Sequence, residues 1–129
     1  MTFEQIVATG NRTPWFENEK EEEWKARRSV LPTNKIRCAD GFTLSVIAGA
    51  GTYCTPRPAC PYGGNEVSED YPGSYTEVEV GYPSERPEPW STWVEYVEDP
   101  DRPTGTVYAY VPAEVVPDLI GLHGGEVDA

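Results

Sequence analysis

Apolar positions along the chain fall into short runs of two periods, one helical and one of strand alternation. Thr2-Phe-Glu-Gln5 is a capping box, with Thr at N-cap and Gln at N3, and predicts a helix over about 3–8 that stops at Gly10. Thr13-Pro14-Trp15 repeats the start signal, with Pro at the first helical position. It predicts a second helix from 14 to about 29, ended by Leu31-Pro32. Phe16, Trp24 and Leu31 fall near one face of it, while Glu17 to Glu23 is almost entirely polar. Glu21–Lys25 and Glu23–Arg27 are favourable i,i+4 pairs. One thin apolar stripe cannot bury much of a helix, so residues 1–34 read as a peripheral helical segment.

Strand alternation begins at Lys35. Ile36 and Cys38 share one face, Asp40-Gly41 is a type I′ turn dipeptide, and Phe42, Leu44, Val46 and Ala48 alternate with Thr43, Ser45 and Ile47. This predicts a hairpin with Phe42, Leu44 and Val46 inward. Residues 49–73 are rich in Pro and Gly and hold no period, so they read as an irregular loop, functional or partly disordered. Over Ser74 to Gly81, Val78 and Val80 point one way and Tyr75, Glu77 and Glu79 the other. Glu88-Pro89-Trp90 opens a helix whose Trp90, Trp93, Val94 and Val97 follow the i, i+3, i+4, i+7 rule. Thr104 to Val111 is a strand with Val107, Ala109 and Val111 opposed to Tyr108 and Tyr110. A last helix over about 113–122 carries Val116, Leu119, Ile120 and His123 as a stripe, with Gly124 past its end.

The predicted fold is therefore α+β: one domain over 1–129, a small antiparallel or mixed sheet of about four strands with helices on one face. Its expected core is Phe42, Leu44, Val46, Val78, Val80, Trp90, Trp93, Val94, Val107, Val111, Leu119 and Ile120. A length of 129 residues fits one core, and 15 aromatic residues compensate for an apolar share of only 38%.

Charge narrows the function classes. Residues 1–60 hold eight Lys/Arg against seven Asp/Glu, a net of +1, and residues 61–129 hold two against fifteen, a net of -13; together they give the -12 of the whole chain. Such a chain is repelled by polyanions, so direct nucleic-acid binding and adhesion to an anionic membrane are not expected. A basic protein surface is the complementary partner. No apolar run approaches the roughly 20 residues of a membrane span. No basic segment followed by an apolar stretch opens the chain, so a cytoplasmic location is expected.

Catalytic and metal chemistry find little support. Cys38, Cys54, Cys60 and the single His123 would make a Cys3His zinc set by count, but no CxxC pair exists, so no metal and no cofactor are expected. Cys54 with His123, or one of the carboxylate pairs, leaves a minor enzyme as a third reading, though no signature surrounds them. His123 reads as a residue at a helix C-terminus, where the dipole favours a cation. Gly49-Ala-Gly51 is too little for a phosphate loop. Arg57, fixed between Pro56 and Pro58, can present its guanidinium to a phosphate or carboxylate. With Tyr53 it defines a second candidate, a site for a nucleotide or second messenger.

The acidic second half is the stronger candidate. Glu77 and Glu79, two apart on a strand, are spaced about 6.6–7 Å, close to the phosphate interval of one DNA strand. Glu85, Glu88, Glu95, Glu98, Asp99 and Asp101 extend the acidic patch, and Tyr75 adds an amphipathic anchor.

Asp40-Gly-Phe-Thr-Leu-Ser-Val46, Tyr53-Cys-Thr-Pro-Arg57, Tyr75-Thr-Glu-Val-Glu-Val-Gly-Tyr-Pro-Ser84, Thr106-Val-Tyr-Ala-Tyr-Val-Pro112 and Leu122-His-Gly-Gly125 resemble small accessory proteins of bacteriophages and mobile elements of Gram-positive bacteria. The resemblance spans roughly residues 35–125. It implies a phage-encoded accessory protein that works in host cytoplasm, and it carries over no catalytic residue. The type includes inhibitors of host defence, among them anti-CRISPR proteins and DNA mimics.

Overall fold

The computed structural model describes residues 1–12, 20–28, 35–60 and 64–127. Its elements are α1 (Phe3–Thr9), α2 (Glu21–Arg28), β1 (Lys35–Arg37), β2 (Thr43–Ile47), β3 (Glu77–Gly81), α3 (Trp90–Trp93), β4 (Val107–Pro112) and α4 (Val116–Leu122). The four strands form one antiparallel sheet in the order β1-β2-β3-β4. The arrangement is a small single-domain α+β fold, and of the two sheet types expected the antiparallel one holds.

Direct register pairs carry the core across the sheet. Ile36 lies opposite Leu44, Val46 opposite Val80, Val78 opposite Val111 and Val80 opposite Tyr108. All seven of these side chains are fully buried on one face. Helices α1, α3 and α4 add Phe3, Ile6, Trp93, Val116, Leu119 and Ile120 to the same cluster. Both sheet edges are covered by short bridges. Cys38 pairs with Glu126 and the Val127 N–H donates to the Arg37 carbonyl on the β1 side. Val97 pairs with Tyr108 on the β4 side. Covered edges remove the open template for pairing with another chain.

Helix α1 follows its capping box. Thr2 accepts from the Gln5 N–H at 3.2 Å, Gln5 returns a bond to the Thr2 N–H at 2.8 Å, and Gly10 ends the helix at φ 70°. It is not peripheral. Phe3 and Ile6 are buried, and the Asn11 side chain bonds both the Val46 carbonyl and the Ala48 N–H beyond the end of β2. The Thr13-Pro14-Trp15 start, Phe16 and Leu31 lie outside the described residues; α2 covers the second half of the expected helix.

Three expectations fail for identifiable reasons. The hairpin turn is not type I′, which needs positive φ at both central residues. Only Gly41 has it, at 94°, and the Cys38 N–H reaches the Phe42 carbonyl at 2.8 Å around the three residues Ala39-Asp40-Gly41. The helix opened by Pro89 lasts one turn, with Pro89 at N-cap, so Trp93 is buried while Val94 is 40% exposed and Trp90 half-buried. In β4 the partners of Val78 and Val80 are Val111 and Tyr108, three residues apart against two, which is a β-bulge. The extra residue reverses the parity upstream of it. Tyr108 turns inward and is fully buried, and Val107, expected in the core, is left half-buried on the other face.

Candidate functional site

The sequence placed Glu77 and Glu79 as free outward carboxylates. The structure gives both a local duty. The 49–73 segment contains neither helix nor strand among its described residues, yet it is bonded to β3. The Thr55 N–H donates to the Glu77 carbonyl and the Thr76 N–H to the Thr55 carbonyl, so Thr55 continues the sheet beside Glu77. Side chains complete the attachment. The Thr55 hydroxyl donates to Glu77 Oε1 at 2.5 Å, and the Tyr53 N–H to Glu79 Oε1 at 3.0 Å. Both carboxylates are half-buried, and burial pushes the Glu79 carboxyl above its ordinary range despite the Tyr53 N–H and the Arg12 charge. A pair so engaged cannot imitate two free phosphates. Tyr75 is a second correction: it is buried in the core, edge-on to Tyr71 at 5.6 Å, with its N–H on the Val7 carbonyl. The strand alternation assigned to it does not apply, because β3 begins only at Glu77.

Tyr53 and Arg57 are brought together as expected of one site. The Arg57 guanidinium lies over the Tyr53 ring at 5.8 Å from its centre. It does not reach outward, however. Its Nε donates to the Thr52 carbonyl at 3.2 Å, its backbone N–H to Glu66 at 2.9 Å, and its charge acts on Glu79. Tyr110, which the sequence had not singled out, joins this group with its ring 5.8 Å from that of Tyr53. Alternation had set Tyr110 outward, but its contact with Tyr53, made through the Tyr110 N–H to the Tyr53 carbonyl, joins segments too distant for the sequence to show.

The remaining acidic candidates lie in the loops around α3. Glu85, Glu88, Glu95, Glu98 and Asp101 are exposed, and Asp99 is half-buried. Glu88 is held by Arg86 at 2.8 Å, and this ion pair lowers its carboxyl below the ordinary value. Asp99 Oδ1 accepts from the Asp101 N–H at 3.1 Å, an Asx-type turn that fixes the run. The segment is tied along β4 by the Glu98 N–H to the Val107 carbonyl and the Ala109 N–H to the Tyr96 carbonyl. Glu95, Glu98, Asp99 and Asp101 therefore belong to one stretch of chain that runs along β4 and into the turn beyond it.

His123 caps α4 and packs flat on Phe42, ring centres 3.8 Å apart. Its Nδ1 shares a 2.7 Å hydrogen bond with Asp40 Oδ2, and Glu85 comes to 4.0 Å of the same nitrogen. The pair ties the end of α4 to the hairpin turn, 83 residues away, so spacing alone could not have found it. The Phe42 N–H and His123 hold the Asp40 carboxyl below its ordinary value. A depressed folded-state value contributes stability that is present above the unfolded value and lost as pH falls through the folded one. Asp40→Asn is thus expected to lower the melting temperature at neutral pH. The deficit should begin to shrink near about pH 4, where the unfolded carboxyl takes its proton, and close as pH falls through the lower folded value. Melting curves from neutral to acid pH check this, and a deficit that persists unchanged in acid would mean the charge is not used.

All three cysteines are buried, and burial raises the Cys38 and Cys54 thiols above their ordinary value, which is the opposite of an activated nucleophile. Among the described residues no three His, Cys, Asp or Glu side chains gather as a metal set. No helix there is long and apolar enough to cross a membrane. A recess of about 360 Å³ lies between the start of α1 and α4, with Glu126 at its wall accepting from the Phe3 N–H. None of the candidate residues lines it. No family model matches this chain, and no curated protein or solved structure does either.

Proposed function

We propose that the chain is a non-enzymatic accessory protein of the phage type that binds and inhibits a basic host protein in the cytoplasm. A nucleic-acid-binding defence effector such as a CRISPR complex is the partner class with the right charge. The supporting observation is the edge run Glu95, Glu98, Asp99 and Asp101. It is fixed by backbone bonds, presents mostly exposed carboxylates and belongs to the half of the chain with fifteen acidic residues against two basic ones. A fixed row of like charges raises the encounter rate with a basic surface and repels polyanions. Glu77 and Glu79 contribute to the field and hold the Tyr53–Thr55 chain; they are not the contact surface. A nucleotide at Tyr53 and Arg57 has less support, because that guanidinium is turned back onto Thr52 and lies close to Glu79.

The test starts from affinity capture in a lysate of a Gram-positive host, followed by association kinetics with the captured protein. Association of the wild type is expected to slow steeply as salt shortens the screening length below about 8 Å. Glu95→Lys/Glu98→Lys is expected to slow it about tenfold further at low salt while leaving the melting temperature in place. The partner's nucleic acid should be displaced as the complex forms. Salt-independent association, unaffected by the double substitution, would remove the acidic-surface reading.

A further inference from the structure

We propose that Tyr53 and Tyr110 form the centre of an interaction surface that takes an arginine- or lysine-bearing segment of a basic protein across their rings. The proposal rests on the acidic-surface reading for the sign of the partner's charge and adds the place where the partner is anchored.

The first observation is how the two rings are held. Tyr110 has φ 53°, a left-handed backbone that a bulky side chain rarely adopts. It sits in the β4 bulge, and its N–H leaves the ladder to donate to the Tyr53 carbonyl at 3.1 Å. Tyr53 is in turn fixed through its own N–H by Glu79. Two chain segments thus clasp each other, and the outcome is two tyrosines 39% and 37% exposed, tilted at 48° with centres 5.8 Å apart. A bulge re-aims a side chain, and strained residues persist where the surrounding structure over-determines them. A single exposed tyrosine calls for no explanation. A rigid pair set outward by a strained backbone is a preorganised contact, since the rings lose little freedom when a partner arrives.

The second observation is charge. The Tyr96 carbonyl accepts from the Ala109 N–H, so the chain at Glu95 passes close to the chain at Tyr110. Glu98 lies close enough to Glu79 for the two carboxylates to repel. Tyr53 is thus bonded to the Glu79 carboxylate, the chain that bears Glu95 and Glu98 runs alongside β4, and Arg57 lies over one face of Tyr53 as the nearby cation. Aromatic faces beside carboxylates attract guanidinium and ammonium groups. In a chain of net charge -12, complementarity selects a basic segment over a phosphate-bearing one.

The test uses the full chain and a labelled nona-arginine peptide, with ATP as the counter-probe. In the unaltered protein, NMR ring signals of Tyr53 and Tyr110 should move on titration with the peptide and stay still with ATP. Tyr53→Ala/Tyr110→Ala should weaken peptide binding about tenfold, a deficit that survives at high salt, where exposed ionic contacts are screened. Tyr53→Phe/Tyr110→Phe, which keeps the rings, should bind within about twofold of the wild type. The NMR titration decides the matter even where the alanine variant fails to fold. Peptide binding that moves neither ring and is weakened only by Glu95→Gln/Glu98→Gln overturns this surface and leaves the acidic reading standing. No binding of the peptide to the wild type overturns both. Ring shifts with ATP would reassign the pair to a nucleotide.

Discussion

Trp93→Ala is expected to lower the free energy of unfolding by about 3–5 kcal/mol, the usual cost of removing a large aromatic side chain from a closed core. Trp93 is 1% exposed, although its helix is a single turn. Its ring meets Tyr108 edge-on at 5.6 Å, and Tyr108 is itself locked by a 2.6 Å bond from its hydroxyl to the Pro103 carbonyl. The indole thus fills a space walled by a strand residue that cannot swing in to replace it, so the cavity stays open. Against a typical total of about 5–15 kcal/mol, the loss is a large fraction of the whole. Trp90→Ala should cost less, because Trp90 is only half-buried and rests on Tyr108 from 6.4 Å. Urea unfolding of both variants checks the ranking. An unchanged midpoint for Trp93→Ala would mean that the single turn is dispensable.

These two tryptophans also mark how far periodicity can be read. In β1, β2 and β3 every inward residue was legible, because an unbroken strand turns alternate side chains to opposite faces and each neighbour agrees with the next. In β4 the same rule assigned Tyr108 outward and Val107 inward, and one inserted residue reversed both. Nothing in Val107-Tyr-Ala-Tyr-Val111 distinguishes a bulged strand from a regular one. Of the stripe Trp90, Trp93, Val94, Val97 only Trp93 is fully buried; Trp90 and Val97 are half-buried against the core and Val94 is exposed, because the helix ends after one turn. After one turn the chain runs beside β4, and Val97 pairs with Tyr108 there. The site followed the same pattern. The exposure of Glu95, Glu98 and Asp101 was legible from charge and the outward side of Tyr110 from alternation, whereas the Tyr53–Tyr110 and His123–Asp40 contacts were not, since both join distant segments.

The electrostatic role first assigned to Glu77 and Glu79 is where fold and function part most clearly. Glu77→Ala/Glu79→Ala is expected to cost about 1–3 kcal/mol, because truncation at Glu77 leaves a partly buried donor without an acceptor, whereas the donor freed at Glu79 is exposed to water. The donors are the Thr55 hydroxyl and the Tyr53 N–H. Glutamine keeps an acceptor oxygen in both places, so Glu77→Gln/Glu79→Gln should recover most of the loss. At Glu79 the exchange carries a further sign. Burial raises that carboxyl above its unfolded value, so the folded chain prefers the protonated form and the group's contribution to stability declines as pH rises through the carboxylate range. Glu79→Gln removes the cost of that buried charge and should be neutral or mildly stabilising at pH 7, an advantage that fades in acid. Urea midpoints of the alanine and glutamine variants at neutral and acid pH measure both effects. The comparison also guards the partner-binding experiments. An alanine or lysine at these positions would slow association by releasing the Tyr53–Thr55 chain, which would be mistaken for a lost contact. Equal midpoints for wild type and the alanine double variant would return both carboxylates to the free surface and restore them as contact residues.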